Sequence, residues 1–96
     1  MSVELKETGS GGQYYLPDAE AGDDIAEMTF SRASDKLIIV DHTYVPDRYR
    51  GQGVGKQLVD RLIADAREKG FKIVPLCPFV KAQFQKHPEW HDVLSK

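Results

Sequence analysis

A single cysteine, Cys77, occurs in the 96 residues. No intrachain disulfide can form, and the composition fits a reducing compartment such as the cytoplasm. Long apolar runs are missing as well. The longest, residues 37–40 (Leu-Ile-Ile-Val), falls far short of the roughly 20 residues that a membrane span needs. The opening MSVELKETGSGG lacks the apolar stretch of a secretory leader. Charge of neither sign dominates: 13 Lys and Arg against 15 Asp and Glu leave a formal net charge of −2. A dedicated nucleic-acid binder normally carries a strong positive field, so neither nucleic acid nor membrane is an expected partner. No repeat of 20–50 residues is visible.

What is present suits one small domain. At this length only about 60–65% of the unfolded surface becomes buried, so the core is modest. Residues 1–12 read as a flexible N-terminal segment jointed at Ser10, Gly11 and Gly12, or as an edge strand in which Val3 and Leu5 alternate. A single domain over 13–96 follows. Residues 13–16, 25–31 and 37–45 are β-prone, with alternating or β-branched apolar positions, and Pro17 and Pro46 stop the first and last. They predict an antiparallel meander. The acidic stretch 18–24 reads as a solvated loop.

The periodicity changes at Val54. Val54, Leu58, Val59, Leu62, Ile63 and Ala66 fall on one face of a helix, and Gly70 is its expected stop. Residues 71–76 form a further strand, which makes a β-α-β crossover and a parallel pair. A short C-terminal helix over 80–86 ends before Pro88. The expected class is α+β.

Between the last meander strand and this helix lies Arg50-Gly51-Gln52-Gly53-Val54-Gly55-Lys56, with three alternating glycines. Glycine lets backbone amides turn toward a common point, and the first amides of a helix are unsatisfied at its positive end. Arg48, Arg50 and Lys56 add cations against one acid, Asp47. A phosphate cradle is the natural reading. The triphosphate loop G-x-x-x-x-G-K-[ST] fails because residue 50 is Arg and residue 57 is Gln. The dinucleotide pattern G-x-G-x-x-G fails because residue 56 is Lys.

The remaining pattern, Arg50 with Gly53 and Gly55, resembles the [QR]-x-x-G-x-[GA] pyrophosphate loop of the GNAT superfamily of N-acetyltransferases. His42-Thr43-Tyr44-Val45-Pro46, Cys77-Pro78-Phe79-Val80 and His87-Pro88-Glu89-Trp90 extend the resemblance over roughly residues 13–94, to a small subgroup lacking the first helices of the full fold. The resemblance implies a truncated GNAT-like fold. It also implies acetyl-CoA as cosubstrate, with its pantetheine arm along Thr43, Tyr44 and Val45. The diphosphate would lie on the amides from Gln52 to Gly55 and Lys56, within a loop that includes Arg50, Gly51 and Val54. The implied activity is acetyl transfer to an unidentified amine, by a ternary complex or through an acetyl-cysteine. The alternative is a non-catalytic CoA or acyl-CoA binding or interaction module.

Candidate catalytic groups are Cys77, His42 and Tyr44. His42 titrates near neutrality when unperturbed and suits a base. Strand alternation puts it on the same face as Tyr44, opposite Thr43 and Val45. Cys77 ends the second parallel strand and is a candidate nucleophile or proton donor; a small buried hydrophobe is its ordinary role. The helix after it carries Phe79 and Phe84, which cannot donate a proton. His87 and His91 are four apart, but Pro88 intervenes and no third ligand accompanies them, so no metal site is expected. Tyr14, Tyr15, Phe30 and Trp90 read as core and cover. A monomer or weak homodimer is expected, given an open sheet edge.

Overall fold

The computed structural model describes residues 3–18 and 24–95. Five strands form one sheet in sequence order: β1 (Glu4–Thr8), β2 (Gly11–Tyr15), β3 (Glu27–Ser34), β4 (Leu37–Tyr44) and β5 (Lys72–Pro75). The first four pair antiparallel, and β5 lies parallel to β4. Helix α1 (Val54–Lys69) makes the crossover, and α2 (Pro78–Lys86) follows β5. This is the α+β meander with one crossover that the periodicity predicts. Of the acidic stretch 18–24, residues 19–23 lie outside the described residues.

Boundaries differ from the sequence reading where hydrogen bonding overrides composition. Gly11 and Gly12 are not a joint. They open β2, paired with Thr8 and Glu7 on one side and with Ser31 and Phe30 on the other. β3 begins at Glu27 and reaches Ser34. β5 is shorter than 71–76, because the Phe71 amide still donates to Ala66 O at the end of α1, and the Leu76 amide turns back to Val74 O. Helix α2 starts two residues early. Pro78 fits its first turn, where no amide is needed.

Both helices cover one face of the sheet. All six apolar positions of α1's stripe are buried, together with Met28, Phe30, Ile38, Val40 and Ile73 from the strands and Leu16 just past β2. Truncating one of the fully buried leucines of α1 would remove about 2–5 kcal/mol. Phe84 and Trp90, edge to face at 6.2 Å, close the core beneath a 3₁₀ turn over Pro88–Val93. Leu94 bridges to Ile73, and the Ser95 amide donates to Ile73 O, which covers the outer edge of β5. No helix among the described residues is long and apolar enough to cross a membrane.

Among the described residues one charged side chain is buried in this core. Asp65 of α1, 5% exposed, accepts the Tyr14 hydroxyl at 2.8 Å. Arg61 Nε donates to both carboxylate oxygens, at 3.2 and 3.3 Å, and its Nη1 donates to Val3 O at 2.7 Å. Burial, then the bond to Asp65, push the Tyr14 phenol far above its ordinary range. The trio fixes the roll of α1 over β2. Asp65→Ala strands the Tyr14 hydroxyl in the core and should cost about 1–3 kcal/mol in urea unfolding, with less loss for Asp65→Asn, which keeps an acceptor. An unchanged midpoint for the alanine variant would show that the tether carries no stability.

Candidate functional site

The β4–β5 ladder ends early. Its last pair is Val40 with Pro75, and the Cys77 amide then donates to Val40 O at 3.1 Å. Pro75 offers no amide, and Pro78 starts α2, so the chain leaves the sheet here. β4 continues through Tyr44. About 13 Å of its edge, residues 41–44, runs on beyond β5.

A β-bulge decides what each side chain in that stretch faces. Thr29 pairs with His42 while Phe30 pairs with Val40, so Asp41 is the extra residue. Thr43 therefore returns to the helix-covered face with Val40, and His42 and Tyr44 point to the uncovered face. The Cys77 thiol, 4% exposed, donates to Thr43 Oγ1 at 3.3 Å. The expected His42/Tyr44 grouping is found, but on the opposite side of β4 from Cys77. The three candidate catalytic residues do not form one cluster.

Past Val45 the chain makes a 3₁₀ turn, Asp47–Tyr49, anchored by the buried Tyr49 ring. The Tyr49 hydroxyl donates to Asp18 at 2.6 Å. Gly51 and Gly53 take left-handed φ angles of 79° and 70°, which L side chains disfavour by roughly 1–2 kcal/mol. Gly53 caps α1, and its carbonyl takes the first helical bond, from Gln57 N. The amides of Gly51, Gly53, Val54, Gly55 and Lys56 consequently meet no backbone acceptor among the described residues. Gln52 departs from expectation. Its amide is spent on Tyr49 O at 3.1 Å, and its side chain donates to Arg48 O.

The residues that carry those amides line a cleft of about 480 Å³ between this loop and α2. Val45, Tyr49, Arg50, Gly51 and Lys56 line one side; Phe79, Gln83, Lys86 and His87 line the other. Gly55 lets the two walls close: a Cβ there would lie 2.7 Å from the Phe79 ring. Sequence reasoning missed the second wall. Its only trace is the spacing of Phe79, Gln83 and Lys86, which puts them on one face of α2.

The cations also sort differently from expectation. Arg48 is turned away to Asp24, at 2.9 Å, and does not line the cleft. Arg50 pairs loosely with Asp47 at 3.3 Å, the two side chains being 82% and 94% exposed, and Lys56 pairs with Asp60 at 3.1 Å. Such exposed pairs are worth about 0–1 kcal/mol, so an anion in the cleft competes easily for either cation. Lys86 has no acidic partner among the described residues. The arrangement suits a polyanion held by main-chain amides, with an extended arm along the free edge of β4. Among the described residues no cluster of three metal-ligating side chains occurs. His87 instead stacks on Trp90 and meets Glu89, and a ring nitrogen of His91 faces Phe84 O.

A model of the GCN5-related N-acetyltransferase family matches residues 13–93. No curated protein matches the chain. Among solved structures, the solution structure of a GCN5-like protein of Staphylococcus aureus, described as a candidate N-acetyltransferase, is 35% identical. It aligns over 96% of this chain and 87% of its own, with a TM-score of 0.72. A GNAT family acetyltransferase of Elizabethkingia anophelis with acetyl-CoA bound is 15% identical over 93% and 73% of the two chains, at 0.62. A ribosomal-protein-alanine N-acetyltransferase of Brucella melitensis is 19% identical over 93% and 64%, at 0.60. At those identities the last two show the shared fold.

Asp24 ties the foot of the acidic stretch to this site: it accepts the Tyr44 hydroxyl at 2.7 Å as well as Arg48. The Tyr44 bond, then Arg48, hold its carboxyl below the ordinary range, and the same bond raises the Tyr44 phenol. A depressed carboxylate contributes fully above its unfolded value of about 3.9, and its contribution is lost as pH falls through the lower folded value. The Tyr44 ring resonances should therefore hold constant from neutrality down to about pH 4 and move below it. Asp24→Asn should abolish that acid step; an identical step in the variant would assign it to another group.

Proposed function

This chain belongs to the GCN5-related N-acetyltransferase family, and on that premise we propose that it binds acetyl-CoA and transfers the acetyl group to an amine. The observation that carries the reading is the set of five amides from Gly51 to Lys56 that meet no backbone acceptor among the described residues, on a cleft beside a strand edge that runs on beyond its neighbour. A diphosphate would take those amides, with Arg50 and Lys56 as counter-ions. The pantetheine amides would continue the ladder on Thr43, Tyr44 and Val45. The thioester then reaches the closed end of the split, beside Thr43 and Cys77. That a distant structural neighbour with the same fold carries acetyl-CoA supports the choice of ligand.

In a ternary complex the neutral amine attacks the thioester carbonyl, the carbon–sulfur bond breaks, and CoA leaves as a thiolate that needs a proton. A lysine-like amine loses its proton near pKa 10.4, so reaching the neutral form at pH 7 costs about 4.6 kcal/mol. Holding amine and thioester in line lowers the barrier by up to about 7–11 kcal/mol. Orientation thus outweighs the cost of deprotonation, and it fits a site whose visible devices are for grip. His42 on the uncovered face is the proposed base for an amine arriving there. Tyr44, with its hydroxyl committed to Asp24, is a positioning residue. The Cys77 thiol either protonates the departing thiolate or takes the acetyl group itself before the amine does. Its burial and its bond to Thr43 favour the first role.

A second reading, a module that binds CoA without turnover, is favoured by one observation. Helix α2 follows the split with Phe79 and Phe84, and neither side chain carries a proton donor. The two readings separate by assay. Acetyl-CoA at one hundred times its Kd should stabilise the fold by about 2.7 kcal/mol in a thermal shift under either. Release of free CoA with a panel of amines occurs only under the first. Gly53→Val forces a β-branched residue to positive φ at the cap of α1, which distorts the turn that presents the amides, so the shift should vanish. If the variant folds and the shift persists, the cradle is not the site. Cys77→Ala should abolish any acetyl adduct seen by intact mass, and unaltered turnover in it would remove both roles of the thiol.

A further inference from the structure

The cleft is longer than a diphosphate requires. From Val45, next to the split, it continues past the five free amides to Gln83, Lys86 and His87 at the far end of α2. Phe79 marks the level of the diphosphate, because its ring abuts Gly55 in the first turn of α1. Lys86 lies seven residues on, about 10 Å further along the helix axis. Cys77 caps the opposite end of that helix. A CoA thioester lying on the amides with its reactive end toward Cys77 must therefore send its nucleoside end toward Lys86.

The charges there are unequally committed. Arg50 and Lys56 flank the amides and each already has an acid, and His87 meets Glu89 while stacking on Trp90. Lys86 is exposed, lines the cleft and has no acidic partner among the described residues. The geometry points to Lys86 as a specificity residue that pairs with the 3′-phosphate on the adenosine ribose of CoA, so that the site selects 3′-phosphorylated CoA thioesters over their dephospho forms. This rests on the acetyl-CoA reading above and adds to it the part of the ligand that the loop does not read.

The test is calorimetric titration of the full chain with CoA and with dephospho-CoA. The wild type should prefer CoA by roughly two- to fivefold, the yield of one exposed ion pair at moderate salt. Lys86→Ala should weaken CoA by that factor, leave dephospho-CoA unchanged and so erase the preference. Lys86→Arg should restore it. Lys86 is exposed, and the melting temperature of each variant checks that the fold is intact. Equal affinities in the wild type, or equal loss of both ligands in Lys86→Ala, would overturn the assignment while leaving the CoA site standing. Binding of neither ligand to the wild type would overturn the acetyl-CoA reading and this assignment with it.

Discussion

The hydrogen bond from the Cys77 amide to Val40 O is the last rung between β4 and β5, and the candidate site exists because the ladder stops there. Two parallel strands of equal length would satisfy each other's edges and leave nothing for a ligand to pair with. Here Pro75 has no amide to offer, and the Leu76 amide folds back on Val74 O. Pro78 then turns the chain into α2. β4 is left with a run of edge that an extended amide-bearing molecule can join. The bulge at Asp41 falls at the same level, which is where β4 ceases to be held on both sides and can twist away.

The second condition is that α1 starts where β4 ends. Its apolar stripe locks onto the sheet, and the Tyr14–Asp65–Arg61 trio sets its roll, so its first amides are delivered to a fixed place rather than to a mobile loop. Tyr49 extends that rigidity into the loop by burying its ring and bonding Asp18. Asp24 holds Tyr44 and Arg48 in turn. The two ends of the acidic stretch are thus fastened to the end of β4 and the connector to α1, Asp24 on both sides of Pro46 and Asp18 beyond it. This gives those carboxylates a structural use that their loop-like composition does not suggest.

Much of this was legible in the chain. The alternation of the meander, the 3.6-residue stripe from Val54 and the Arg50-to-Lys56 glycine pattern each rest on spacing that only one local conformation satisfies. They led to the correct family and to the α+β crossover. The misreadings share a different cause. Gly11 and Gly12 look like a joint until strands on both sides claim their amides. Gln52 looks like a phosphate ligand until its amide is drawn into the turn with Tyr49. Arg48 looks like a third loop cation until Asp24, far back in the sequence, takes it. Each was settled by a partner distant in sequence or by a turn whose closure depends on one.

The order of covalent neighbours by itself determined most of the strand and helix segments, though not their bounds or the place of Gly11 and Gly12, because backbone sterics and apolar periodicity act over a few residues. It also placed glycines where amides must turn outward. Only the tertiary structure decided that His42 and Tyr44 lie on the other side of β4 from Cys77. A one-residue bulge reverses every side chain after it, and the bulge is set by pairing with β3. Only packing, likewise, brought Phe79, Gln83 and Lys86 across from the loop to make a cleft of what would otherwise be one exposed turn.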